Sequence, residues 1–536
     1  MYANVYSACL YGIDGVIIEV EVDLSNGIPQ TSIIGLPDSA VRESVERVRS
    51  AVKNSEFNFP LQRITINLAP ADLRKEGSAF DLAIALGLLS ASGQIQLPTN
   101  QRLLVIGELS LDGALRPVNG ILSIVDLAKR QGFTAVLLPQ MNASEAHLIE
   151  GIEIYGLDHL RQLTPQTMSS PPANPPSAHS SSPRPTLYLK NFDHLKTSSN
   201  IHFEFESSSL SIPEDYSDVL GQQHVKRALT IAAAGMHNIM LMGPPGTGKT
   251  MLIRRLPTIL PTLSNEESLE VTKIFSAAGK LKEAETGLMK RRPFRAPHHT
   301  ISAAGLIGGG MVPKPGEVSL AHKGVLFLDE LPEFSRTVLE VLRQPLEDRS
   351  VHISRARASY TFPAHFILAC SMNPCPCGYL GAAPPLPPCT CSPGRILRYR
   401  DKISGPLLDR IDLQVEVPRP SDWPSDVQPL SSEAMREQVR HAQHLQAERY
   451  AQLPFTWNSE LSGKMLRQFT SRTSQADILL KGTFEALGLS MRAFDRILKL
   501  ARTIADLEKA EVIEASHIAE AIQYRQLDRK VQDLMG

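Results

Sequence analysis

Asn238-Ile-Met-Leu-Met-Gly-Pro-Pro-Gly-Thr-Gly-Lys-Thr250 is an apolar strand that runs into a glycine-rich loop and then into a helix start. The loop residues Gly243, Pro244, Pro245, Gly246, Thr247, Gly248, Lys249 and Thr250 carry the full spacing of a phosphate-binding loop. Its glycines let backbone N–H groups surround the β- and γ-phosphates, and Lys249 reaches the same oxygens. The Thr250 hydroxyl can ligate Mg²⁺ where the dipole of the following helix favours anions. The chain reads as an α/β protein that binds a nucleotide together with Mg²⁺.

Working outward, Gly324-Val-Leu-Phe-Leu-Asp-Glu-Leu331 is a short apolar run ending in two acids. Such a buried parallel strand delivers carboxylates to the edge of a sheet. Asp329 is placed to hold the Mg²⁺ shell, and Glu330 to orient or deprotonate the attacking water. The pair is uninformative alone but specific downstream of a phosphate loop.

The 536 residues allow about three or four domains. A net charge of −1 and a 42% hydrophobic fraction are ordinary for a globular protein, so contact with nucleic acid must be local. Met1-Tyr-Ala-Asn-Val-Tyr6 lacks the charged and apolar regions of a signal peptide. Nor does any apolar run approach the ~18 residues of a membrane span, and a cytoplasmic protein with no membrane partner is expected. Clustering of four of the six cysteines suits a reduced compartment better than a disulfide framework.

Proline and serine dominate Met168–Pro185, which cannot bury a core and reads as a linker. The expected organisation is an N-terminal α/β domain over 1–165, a linker over 166–190, a nucleotide-binding core over 191–425 and a helical lid over 426–536. Within the first domain, alternation predicts strands at Gly15–Asp23, Arg63–Asn67 and Thr134–Leu138. Helices are expected from Asp38 to Val52, at Ala79–Ala91 and at Ile121–Gln131. Five further helices are expected in the lid, at Glu433–Tyr450, Glu460–Phe469, Ser474–Leu487, Arg492–Lys509 and Ala515–Arg525.

The ordered series of phosphate loop, Asp329-Glu330, Asn373, Arg410 and Arg492 resembles an AAA+ ATPase, and the intervening sequence resembles the Mg-chelatase-like branch. Together with the N-terminal domain and the cysteines, it is similar to the YifB/ComM family of bacterial competence-associated ATPases. The resemblance implies that Asn373 is sensor 1, its amide reaching both the γ-phosphate and the attacking water. It also implies that Arg410, in Leu407-Leu-Asp-Arg-Ile-Asp-Leu413, is an arginine finger offered to the neighbouring subunit, and that Arg492 is sensor 2, with Arg496 nearby as the alternative. A finger acting in trans requires a ring, and a homohexamer is expected.

A helix is expected at Arg336–Leu346, followed by a β-hairpin in Asp348–Phe362. In chelatase-like motors such an insertion points toward the ring's pore. Arg349, Arg355 and Arg357 offer phosphate contacts and Tyr360 a stacking surface, although a hairpin at a subunit interface fits as well. The glycine-rich stretch Arg295–Gly310 is a second candidate pore or interface loop.

Cys375-Pro-Cys377 and Cys389-Thr-Cys391, separated by eleven residues, offer the four thiolates of a structural Zn²⁺ site, with redox thiols as the alternative. Gly77-Ser-Ala-Phe80, Val105–Gly113 and Pro117–Leu122 resemble the proteolytic domain of Lon proteases, which uses a Ser–Lys dyad. Ser78 matches the nucleophile, but Leu122 stands where lysine is expected, and Lys129 lies two turns further on, about 10 Å away. No peptidase activity is expected, Ser78 reads as a helix-start residue, and the family resemblance implies that the domain is a ring-forming or DNA-guiding platform. The family resemblance implies an ATP-driven hexameric DNA translocase promoting branch migration during natural transformation. The alternative is a chelatase-type motor that remodels a partner protein for metal insertion.

Overall fold

The computed structural model describes residues 1–97, 102–163, 214–281, 287–310, 313–355, 358–381, 386–419 and 429–525. The chain divides into two compact units, Met1–Glu206 with Thr272–Leu288, and Ser207–Val271 with Met289–Gly536. The expected linker lies outside the described residues. Among the described residues no helix is long and apolar enough to cross a membrane.

In the first unit, strands β1 (Tyr2–Tyr11), β2 (Asp14–Ser25), β3 (Gln30–Ile34), β4 (Arg63–Ala69), β5 (Leu103–Val105), β8 (Ala135–Pro139) and β9 (Glu153–Leu157) form a seven-stranded sheet. Between β5 and β8 lies a small antiparallel pair, β6 (Glu108–Leu109) with β7 (Leu115–Arg116). The sheet order is β3-β4-β2-β1-β5-β8-β9, antiparallel among β1, β2 and β4 and parallel elsewhere. Alternation along β2 and β4 buries Ile18, Val20, Val22, Ile64, Ile66 and Leu68 on one face. The helix Ser39–Asn54 starts where Asp38 accepts the Val41 N–H at 2.8 Å and buries its Val41, Val48 and Val52 stripe in that core.

The second unit carries β10 (Ile239–Met242), β11 (Phe294–Arg295), β12 (Gly308–Gly309), β13 (Lys314–Pro315), β14 (Val325–Leu328), β15 (Ser350–Arg355), β16 (Ala358–Pro363), β17 (Ile367–Met372) and β18 (Leu413–Glu416). Five of them form a parallel sheet in the order β11-β14-β17-β10-β18. Every residue of β10, β14 and β17 is buried, which explains why β10 and β14 read as unbroken apolar runs and β17 as one interrupted only by Ser371. The helix expected at Arg336–Leu346 is two pieces, Arg336–Glu340 and Arg343–Asp348. Pro345 lacks an N–H and its ring opposes the Val341 carbonyl, so a continuous helix is disfavoured there.

The C-terminal helices run Ser432–Arg449, Gly463–Phe469, Ser474–Leu487, Met491–Leu507 and Ala515–Gln523, close to expectation. Serine or threonine hydroxyls at Ser431, Thr473 and Ser490 cap three of them. A buried carboxylate ties the bundle together. Asp506, fully buried, accepts from Arg449 at 2.5 Å, Arg502 at 3.1 Å and Asn458 at 2.8 Å.

Candidate nucleotide site and its arginines

The parallel register assembles the phosphate site at the carboxyl ends of adjacent strands. Met242 of β10 lies beside Met372 of β17, so Gly243 and Asn373 leave the sheet side by side. Leu328 of β14 pairs with Cys370, which sets Asp329 level with Ser371. Gly248 enters the helix Lys249–Arg254 at φ +86°, a conformation that a side chain would strain.

Lys249 is buried, and its ammonium donates to the carbonyls of Gly243 and Pro244 at 2.8 Å each and to Asn373 Oδ1 at 3.2 Å. Burial pulls its pKa below the usual lysine value, with Asp329 and Glu330 opposing. These carbonyls hold the ammonium where phosphate oxygens would replace them. Thr250 donates to Asp329 Oδ2 at 2.9 Å, so the two oxygens expected around Mg²⁺ are already together and fit that hard cation. The other Asp329 oxygen accepts from the Ser371 hydroxyl and from the Glu330 N–H at 3.1 Å. Ser371 is a site residue that sequence reasoning missed, since nothing but strand register connects it to Asp329. Glu330 is exposed and sits in the left-handed region at φ 53°, rare for a residue with a side chain and typical of functional sites.

The candidate finger and sensor 2 lie elsewhere. The Arg410 carbonyl accepts from the side chain of Asn238, which immediately precedes β10, whereas the phosphate loop follows it. Four residues of strand separate the two edges, about 13 Å. There a cleft of about 370 Å³ is lined by Arg349, Arg410, Arg492, Arg496, Lys499 and four carboxylates that include Glu347 and Asp412. Arg410 donates to Glu347 and, at 2.7 Å, to the Pro406 carbonyl. That bond, then the charges of Arg410, Arg492 and Arg496, hold the Glu347 carboxyl below its ordinary value. Arg496 donates to Asp412 Oδ1 at 2.6 Å. Burial alone would raise the Asp412 pKa, but Arg496, His237 and the Asn238 N–H outweigh it and lower it. Arg492 is exposed near the start of its helix and makes no hydrogen bond to a described residue. The two arginines expected at the γ-phosphate therefore share one edge of the sheet, and their own phosphate loop occupies the other.

The hairpin is β15 with β16, paired from Ser350–Pro363 to Arg355–Ala358. Arg355 is exposed near its tip and donates to the Gly310 carbonyl at 3.0 Å, so the two candidate pore segments lie side by side. Arg357 lies outside the described residues. Arg349 sits at the hairpin's base, held by Glu460 at 2.7 Å, away from Arg355. Tyr360 is only 7% exposed, so its ring is core and not the stacking surface expected from the sequence.

Cys375, Cys377, Cys389 and Cys391 converge with all four sulfurs within 4.8 Å of one another. Three of the separations are 3.3, 3.6 and 3.5 Å, near the edge of about 3.8 Å that a tetrahedron of Zn–S bonds requires. The donor set fits zinc. In the first unit, the Ser78 hydroxyl donates to Glu108, and the helix Asp81–Ala91 is preceded by Phe80 with no side-chain cap. Ser78 thus lies just before the helix, its carbonyl accepting the Asp81 N–H, and its hydroxyl goes to Glu108 and caps no helix N–H. Leu122 is buried, its N–H bonded to Glu145 at 3.1 Å.

Comparison with known proteins accounts for most of the described chain. Residues 215–423 match the family described as magnesium chelatase, subunit ChlI; residues 20–142 match subunit ChlI of Mg-chelatase; and residues 429–525 match its C-terminal part. The chain is 41% identical to protein YifB of Escherichia coli over 98% of its own length and 97% of the relative's. It is 41% identical to competence protein ComM of Haemophilus influenzae over 99% of each. Lon protease 2 of Bacillus subtilis is 26% identical over 31% of this chain and 32% of its own. With near-complete coverage by two such relatives and a site that carries the motor residues in order, the chain belongs to the YifB/ComM family of Mg-chelatase-like AAA+ proteins.

Proposed function

We propose that the protein is an ATPase that works as a homohexameric ring and drives DNA through its centre, promoting branch migration during natural transformation. The observation that carries this reading is the separation of the phosphate loop from Arg410 and Arg492 across one sheet. A guanidinium at the opposite edge cannot reach its own nucleotide, but it can complete the site of an adjoining copy. Lys249 would then hold the phosphates of ATP, Thr250 and Asp329 would hold Mg²⁺, which supplies charge neutralisation there, and Glu330 and Asn373 would orient the attacking water. The neighbour's Arg410 would meet the charge that develops on the γ-phosphoryl oxygens.

The DNA contact falls to the hairpin tip, where Arg355 is exposed beside the glycine-rich segment. Arg357 belongs to this proposal by its place in the sequence, and Arg349, engaged by Glu460, is left out of it. The competence name of the Haemophilus influenzae relative supports the setting. The N-terminal unit acts as a platform without peptidase activity, since Leu122 cannot take a proton from Ser78. The matches to a chelatase subunit favour a second reading, a motor that remodels a partner protein.

ATPase measurements with forked or single-stranded DNA, followed by a Holliday-type junction assay, separate the two. The translocase reading expects DNA stimulation, lost when Arg355 and Arg357 are both alanine while basal turnover persists. Indifference of the wild type to DNA would favour the second.

A further inference from the structure

Beside the nucleotide site, the thiolate cluster has a position that its chemistry alone does not require. Asn373, whose amide touches Lys249, is followed two residues later by Cys375. The chain then turns at Gly378, where φ is +86° and a Cβ would lie 2.7 Å from Pro245 Cδ. A side chain there has no room, so the backbone of the cysteine loop rests directly on the phosphate loop. On the far side of the cluster, Cys391 leads into the helix Pro393–Arg400, and Arg400 donates to the Pro374 carbonyl at 3.2 and 3.1 Å. The four sulfurs thus close a loop whose one end holds Asn373 and whose turn presses on Pro245.

We propose that Cys375, Cys377, Cys389 and Cys391 bind one Zn²⁺ and that this metal positions the ATP site, fixing the Asn373 amide and the outer wall of the phosphate loop. The proposal rests on the reading of Gly243–Thr250 as the ATP site but not on any role for DNA. Zn²⁺ itself has no redox chemistry and, held by four thiolates, cross-links four backbone positions, so its contribution is rigidity at a place where small displacements change phosphate contacts. Without the metal, Cys375 and Cys377 are no longer tied to Cys389 and Cys391, and both Asn373 and Pro245 lose their backing. The four sulfurs bond among themselves and to the Cys391 N–H, not to the phosphate loop, and the cysteines are positioning residues.

The test uses the full chain purified without chelators, with metal content by mass spectrometry and the affinity of a fluorescent ATP analogue as separate readouts. Wild type should carry one zinc per chain, and cobalt substitution should give the visible absorption of a tetrahedral thiolate site. Cys389→Ser with Cys391→Ser should lose the metal and weaken nucleotide binding about tenfold or more. Gly378→Ala keeps all four thiols but pushes the turn off Pro245, and it should retain zinc while losing affinity. Should the double variant fold poorly, wild type stripped with a zinc chelator and reloaded with Zn²⁺ alone should lose and regain affinity. Substoichiometric zinc in wild type, or oxidised thiols in its place, overturns the metal assignment. Unchanged nucleotide affinity in both stripped protein and Gly378→Ala overturns the coupling. Neither readout involves DNA, so failure here is distinct from failure of the translocase reading.

Discussion

Lys249 and Arg410 are both basic and both tied to the protein's own oxygens, yet they stand at opposite ends of β10. Lys249→Ala should remove nucleotide binding and turnover together. Arg410→Ala should leave binding within a few-fold and lower turnover about a thousandfold or more, as expected of a group that acts on transition-state charge. Equilibrium binding and steady-state hydrolysis on each variant distinguish these outcomes, and parallel loss of both in Arg410→Ala would place it in the nucleotide's own pocket. Another charge in the arginine cleft has a thermodynamic signature. Burial pulls the Lys499 ammonium down to about 8, with Asp412 and Asp495 opposing and Arg496 and Arg349 assisting. Its folded value lies below its ordinary 10.5, so the unfolded chain holds the extra proton between those values, and stability gains with rising pH in that window. Below pH 8 the enclosed charge is a constant cost. Lys499→Met should therefore stabilise the protein by about 1–3 kcal/mol at pH 7 and by progressively less above pH 8, read from denaturant midpoints. Equal effects at pH 7 and pH 10.5 would contradict this.

Among the elements, those the sequence made legible are the ones whose identity is local. Buried parallel strands show as apolar runs, the Ser39–Asn54 helix shows as an apolar stripe behind a capping Asp38, and the motor motifs follow strands in a fixed order. What was not legible depends on partners distant in the chain. Ser371 reaches Asp329 through strand register, Arg349 is claimed by Glu460 more than a hundred residues away, and Tyr360 turns inward because its strand partner Ile353 lies on the core face. Nothing near Gly378 in sequence announces Pro245 as its neighbour. The C-terminal helices depend on the same kind of remote pairing. Asp506 neutralises two guanidinium groups at once, so Asp506→Ala should cost about 3–5 kcal/mol by leaving the buried Arg502 and the half-buried Arg449 without their carboxylate. A loss below about 1 kcal/mol in equilibrium unfolding would show that water reaches the network.

At the scale of the whole molecule, the first unit resembles a peptidase without its base. Ser78 is engaged by Glu108, and Leu122 is buried apolar core. Casein should survive prolonged incubation with the protein and ATP, and degradation abolished by Ser78→Ala would contradict the platform role. On the proposed ring reading one copy holds an incomplete site, since its phosphate loop and Arg410 lie at opposite ends of β10. Mixing Lys249→Ala protein with Arg410→Ala protein under assembling conditions tests this most directly. Each variant alone should be inactive, yet in mixed rings an intact phosphate loop on one copy can meet an intact Arg410 on the next, and ATP hydrolysis should reappear in proportion to such interfaces. A mixture that forms rings but hydrolyses no more ATP than its separate components would contradict a site shared between protomers.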